Sequence, residues 1–197
     1  MKKYFVIIFS LLLVLIGMFG CTAENNRNNN VNGTTPPIVT TKKTLIAYFS
    51  CTGTTARIAK LIAEETGAVL HEIQPEVPYT EEDLNYYSGS RADREQADPT
   101  IRPAIANGVE NMQDYDVVFL GYPIWHGQAP KIIYTFLESY DLSGKIIIPF
   151  CTSHTSDIGS SDDNLHSLTV NADWKEGRRF ESDTNAEMIV AWLEELD

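Results

Sequence analysis

Four hydroxyl side chains and one glycine stand together in Ser50-Cys51-Thr52-Gly53-Thr54-Thr55. Before them, Thr44 to Phe49 is an uncharged, largely apolar run, as expected for a strand buried on both faces of a parallel sheet. After them, Ile58, Leu61 and Ile62 recur at the spacing of one helix face. A strand that turns directly into a helix aims the unpaired N–H groups of the first helical turn beyond the strand end. With the helix dipole and the hydroxyls, these donors make an anion pocket, and a phosphate monoester is the natural ligand class. An ordinary strand-to-helix turn with a threonine N-cap is the alternative reading of the same residues. A nucleoside-triphosphate loop is excluded because the Gly-Lys-Ser/Thr ending is missing.

Two further loops carry chemistry. Tyr115 to Gly121 reads as a second buried strand and runs into Tyr122-Pro123-Ile124-Trp125-His126-Gly127-Gln128-Ala129-Pro130. Trp125, between Pro123 and Gly127, could present a flat face to a planar ligand or could pack inward. Lys145 to Cys151 reads as a further strand and ends in Thr152-Ser153-His154-Thr155-Ser156-Asp157-Ile158-Gly159-Ser160-Ser161. In a doubly wound sheet, ligands sit outside the carboxyl ends of the strands, and all three loops leave such ends.

The Ser50–Thr55 loop resembles the phosphate loop of flavodoxins, written Ser/Thr-x-Thr-Gly-Asn-Thr, with Thr54 in place of the asparagine. The loop around Trp125 resembles their Gly-x-Pro-x-Trp loop. The loop after Cys151 is similar to a Thr-Ser-Gly-Gly-Ser-Gly-Ile-Gly loop, with His154 and Asp157 where small glycines would stand and Gly159-Ser160-Ser161 retained. The resemblance covers nearly all of 44–197. It implies non-covalent FMN, with the phosphate on Ser50, Thr52, Gly53, Thr54 and Thr55. The ring is then bordered by Pro123, Ile124, Trp125, His126 and Gly127 on one side and by Thr152, Ser153, His154 and Gly159 on the other. It further implies electron or hydride transfer, either as an NAD(P)H-linked reductase of small acceptors or as a carrier for a redox partner protein. Since glycine accepts positive φ and close ligand approach more readily than histidine or aspartate, a phosphate- or small-molecule-binding protein that has lost FMN is the alternative.

The elements needed to position these loops can be placed. Strands are expected at 44–50, 68–74, 116–121, 145–151 and 168–173, and helices at 54–66, 129–140 and 158–166. A last helix runs from about Thr184 to Leu196, with Asp183 as N-cap and Glu187 in the first turn. This alternation predicts a three-layer, doubly wound, five-stranded parallel α/β sheet, and the resemblance implies the flavodoxin order 2-1-3-4-5. The long crossover from Pro75 to Asn111 should carry one or two helices and act as a flap over the flavin loops. Within it, Tyr79, Tyr86 and Tyr87 suit packing or surface roles better than ligand contact, and the charges from Arg91 to Glu95 read as a solvated helix face.

Met1-Lys2-Lys3, the apolar run from Tyr4 to Phe19 and Gly20-Cys21 read as a signal peptide over 1–20. Gly20-Cys21 resembles the end of a bacterial lipoprotein signal, so Cys21 is the expected lipidation site. Plain secretion or a retained anchor is the alternative. Residues 21–43, rich in Asn, Thr and Pro, then form a linker with too little apolar surface to offset its ordering entropy. The implied location is extracytoplasmic, on the outer side of the cytoplasmic membrane. The chain carries a net charge of −12, and losing Lys2 and Lys3 with a leader takes the remainder two charges lower, to about −14. Nucleic-acid binding, which needs a basic footprint, is therefore excluded. In the order that the resemblance implies, Cys51 and Cys151 end strands two places apart, about 9.6 Å at the ordinary strand spacing, too far for a disulfide. A hydrolase lacks its Gly-x-Ser-x-Gly elbow, and His126 and His154 lack carboxylates at metal-ligand spacing.

Overall fold

Alternate residues of the central strands enter two different cores. In β1 (Thr44–Tyr48), Leu45 and Ala47, followed by Phe49, pack into one core, while Ile46 and Tyr48 pack into the other. In β3 (Val117–Pro123), Val118, Leu120 and Tyr122 join the first core and Val117 and Phe119 the second. This period of two is that of a sheet covered on both faces. The computed structural model describes residues 42–196 apart from Tyr87 and Ser88. The leader, Cys21, the linker up to residue 41, and Tyr87 lie outside the described residues.

The remaining strands are β2 (Val69–Glu72), β4 (Ile146–Thr152), β5 (Asp173–Trp174) and β6 (Arg178–Phe180). The sheet is parallel in the order β2-β1-β3-β4-β5, with β6 also paired to β4. On the second core's face lie α1 (Thr54–Thr66) and α5 (Ala186–Glu195), through Ile58, Ala59, Ile62, Ile189 and Trp192. On the first lie α3 (Lys131–Glu138) and α4 (Ser160–His166), through Ile132, Ile133, Phe136 and Leu165. Each such fully buried aliphatic or aromatic side chain contributes about 1.5–3 kcal/mol relative to exposure. The fold class and strand order are thus those expected.

Three differences from expectation have local causes. The fifth sheet position is two short strands rather than one at 168–173. Asn171 turns the chain at φ 64° and Val170 is exposed, so this apolar stretch is a turn, and pairing with β4 resumes at β5 and again at β6. The N-cap of α5 is Asn185, whose side chain accepts from the Met188 N–H at 3.0 Å, and not Asp183, which lies inside a turn closed from Thr184 N to Glu181 O. The charges of α2 (Arg91–Ala97) are not all solvated, because Glu95 is only 7% exposed. Its carboxylate accepts from Arg91 Nε at 2.7 Å and from the Tyr79 hydroxyl at 2.5 Å. Arg91 also lies over the Tyr79 ring, 4.0 Å from its centroid.

The 75–111 excursion is tied to the edge of β2. Ala106 N donates to Gln74 O and Glu76 N to Ala104 O, both at 2.8 Å, and the Asn107 side chain bridges Gln74 N and Glu72 O. The α-helix described in it, α2, then reaches the loop after β3. Gln96 Nε2 donates to Trp125 O at 3.0 Å and to Ala129 O at 3.2 Å.

Candidate functional site

The carboxyl ends of β1, β3 and β4 meet because their loops are bonded at the base. Phe49 N donates to Gly121 O and Ile124 N to Thr152 O, both at 2.9 Å. The buried hydroxyls of Thr55 and Thr152 share a hydrogen bond of 2.8 Å. Above this base lies a cleft of about 380 Å³ lined by Thr52, Thr54, Pro123, Thr152, Ser153 and His154, and closed by Glu181 and Ser182. Cofactor sites fall in this size range.

One wall is the β1–α1 loop. Gly53, at φ 86°, turns the chain in a conformation that a side chain would disfavour, and its N–H donates to Ser50 Oγ at 3.2 Å. No side chain caps α1, nor α3 and α4, whereas Ser90 caps α2 and Asn185 caps α5. The first turn of α1 also carries no acidic residue. Uncapped N–H groups beside Thr52 and Thr54 suit an oxyanion.

The second wall is Pro123 at the end of β3, which leads into the β3–α3 loop. Trp125 and Gln128 exchange backbone hydrogen bonds of 2.9 Å around His126 and Gly127, at φ 49° and 77°. Positive φ at both central residues is the pattern of a type I′ turn. Non-glycine residues rarely hold this conformation, and His126 does so stacked on Tyr86, with centroids 4.4 Å apart. Its Nε2 is 3.7 Å from Asp93 Oδ1. Gln128 accepts from Asn164 Nδ2 at 2.6 Å, so the turn is also fixed to α4. Trp125 is wedged edge-on among Phe49 at 5.5 Å and Tyr79 at 5.2 Å. With Ile124 and His126 it borders a second crevice, of about 60 Å³.

The third wall is the β4–α4 loop. Ser153 Oγ donates to Ser156 O, and the buried Tyr122 hydroxyl meets Ser161 Oγ at 3.2 Å. Among the described residues of this loop only Gly159 has positive φ. His154 and Asp157 therefore occupy ordinary backbone conformations, and their substitution for glycine leaves the loop unstrained. Behind the loop, Cys151 is buried and its thiol is pushed up to about 12, by desolvation first and then by Asp157. Cys51 and Cys151 are both free.

Thr52, Thr54, Pro123, Thr152, Ser153 and His154 are thus brought into one cleft. Ser50 and Gly53 shape its turn, and Thr55, 1% exposed, supports it from beneath. Ile124, Trp125 and His126 line the neighbouring crevice, Gly127 is exposed in the turn, and Gly159 precedes α4. Glu181 and Ser182, which carry no motif, complete the cleft unannounced by sequence. A further cavity, of about 620 Å³, lies at the opposite ends of the strands, between Thr66, Val117, Ile146 and Leu196. It holds none of these loop residues.

The profile of a family described as flavodoxin matches residues 43–196. The chain belongs to the flavodoxin family. Among solved structures, a protein assigned as a flavoprotein from Bacteroides eggerthii DSM 20697 is 46% identical, with a TM-score of 0.74. The match covers 78% of this chain and 97% of that one. Another assigned flavoprotein, from Bacteroides uniformis ATCC 8492, is 41% identical with a TM-score of 0.75, covering 78% and 98% of the two chains. A flavoprotein from Lactobacillus acidophilus NCFM, solved in complex with FMN, is 21% identical with a TM-score of 0.56. It covers 78% of this chain and 99% of that one, and shows the shared fold. No curated protein matches the chain.

Proposed function

We propose that this flavodoxin-family chain binds FMN non-covalently in the cleft between its three loops and serves in electron or hydride transfer. The observation that carries this reading is a hydroxyl-lined cleft against the uncapped first turn of α1. The donor set fits a phosphate monoester, since Thr52, Thr54 and the helix N–H groups supply hydrogen-bond donors. Membership of the flavodoxin family supports FMN as the particular monoester.

In this reading Ser50 and Gly53 shape the phosphate turn, and Thr52, Thr54 and the first N–H groups of α1 hold the phosphate. The Pro123–Gly127 and Thr152–Gly159 segments border the ring. When bound, FMN supplies the redox chemistry. The protein's part is to orient the ring, exclude water and set the local charge, to which Glu181 and Asp157 contribute acidity. The chain works either as an NAD(P)H-linked reductase of a small acceptor or as a carrier for a redox partner protein, held at the outer face of the cytoplasmic membrane by a lipid on Cys21. The unstrained backbone at His154 and Asp157 favours retained FMN over a phosphate-binding protein without it. Protein purified after FMN supplementation should be yellow, with flavin absorption bands that survive gel filtration. Colourless protein that takes up no FMN contradicts the proposal.

A further inference from the structure

Arg57 reaches a wall of the cleft that no motif identifies. It is the fourth residue of α1, and its backbone N–H closes the helix start on Gly53 O at 2.9 Å. Its guanidinium crosses to the loop between β6 and α5, donating to Thr184 O at 2.6 Å, Ser182 O at 2.8 Å and Glu181 O at 3.4 Å. That loop is itself a closed turn, with Glu181 N bonded to Thr184 Oγ1 at 3.1 Å and Thr184 N to Glu181 O at 3.2 Å. The same turn presents Glu181 and Ser182 to the cleft opposite Thr52 and Thr54. The Glu181 carboxylate is partly neutralised there, since it accepts from Arg179 Nη2 at 2.6 Å.

We propose that Arg57 is a positioning residue for phosphate recognition, an inference that rests on the FMN reading above. Three carbonyl oxygens beside an anion site would repel the anion if they turned toward it. A planar guanidinium engages several of them at once and neutralises their dipoles, which a lysine ammonium does less well. The hydrogen bonds of Arg57 run to this turn and to its own helix start. Its effect should therefore fall on the phosphate and spare the ring.

The test is titration of the full chain with FMN and with riboflavin, for wild type, Arg57→Gln and Arg57→Lys. Arg57→Gln should weaken FMN by about tenfold, since the freed carbonyls can then turn toward the phosphate, while riboflavin affinity stays level. Arg57→Lys should fall between the two, and it decides the matter if the glutamine variant does not fold. A wild-type preference for FMN that both variants keep overturns the inference alone. Equal wild-type affinity for the two flavins overturns the phosphate-loop reading, and this inference with it.

Discussion

Trp125 is packed in the structure and is proposed to border the ring, two purposes that its position in the sequence does not separate. Pro123 and Gly127 mark it as a loop residue that could face a planar ligand, and nothing in that spacing reveals its edge contacts with Phe49 and Tyr79. Those partners are distant in sequence and come from another strand end and from the 75–111 excursion. Trp125→Ala should weaken FMN by about ten- to a hundredfold, since a stacked aromatic contact is worth about 1–3 kcal/mol. It should also lower the apo melting temperature by about 3–10 °C through the lost aromatic pairs. Unchanged FMN affinity with lowered apo stability would make Trp125 purely a packing residue. Arg57 was illegible for a related reason. On a helical pattern it reads as one more exposed cation, and its three carbonyl partners appear only when residues 181–184 fold back beside α1.

At the scale of elements, sequence reading did best where burial imposes a long pattern. The helix expected at 54–66 is observed over Thr54–Thr66, bounded by glycines at both ends. The central strands were recoverable because residues buried on both faces leave uninterrupted apolar runs. The outer part of the sheet was not. β5 and β6 have two and three residues, too few to show alternation, and their pairing with β4 depends on long-range register. The buried Glu95 was missed because its partners, Tyr79 and Arg91, define its environment and Arg91 alone is near in sequence. Packing between β3 and β4 yields a separate prediction. A Cβ on Gly121 would lie 2.2 Å from Phe150 Cζ, so this strand needs a glycine for close approach of the ring. Gly121→Ala should cost about 1–3 kcal/mol by overpacking, and calorimetry should show a lowered melting temperature. Adding Phe150→Leu should recover part of it. An alanine variant as stable as wild type would mean that the sheet widens there freely.

At the scale of the whole molecule, a parallel sheet places its strand ends on one side, and loops far apart in sequence converge there without further design. The order β2-β1-β3-β4-β5 puts β1, β3 and β4 side by side, which is why the three loops quoted from the sequence share one base of hydrogen bonds. The chain is acidic, at −12, and if it is the carrier proposed above, a basic partner is the kind that steering would favour. The proposed anchor at Cys21 makes a distinct prediction, since stable attachment needs more than one acyl chain and a diacylated cysteine would supply it. Cys21→Ser should move the protein out of the membrane fraction or leave it unprocessed, and a mature protein whose mass starts elsewhere than Cys21 would contradict the anchor. The central claim is that the hydroxyl cleft at the start of α1 recognises the phosphate of FMN. Equilibrium titration of the wild-type chain with FMN, riboflavin and FAD tests it most directly. FMN should bind about tenfold or more tighter than riboflavin, as expected when charge-assisted bonds to phosphate are gained, and tighter than FAD. Equal affinity for FMN and riboflavin would contradict the claim.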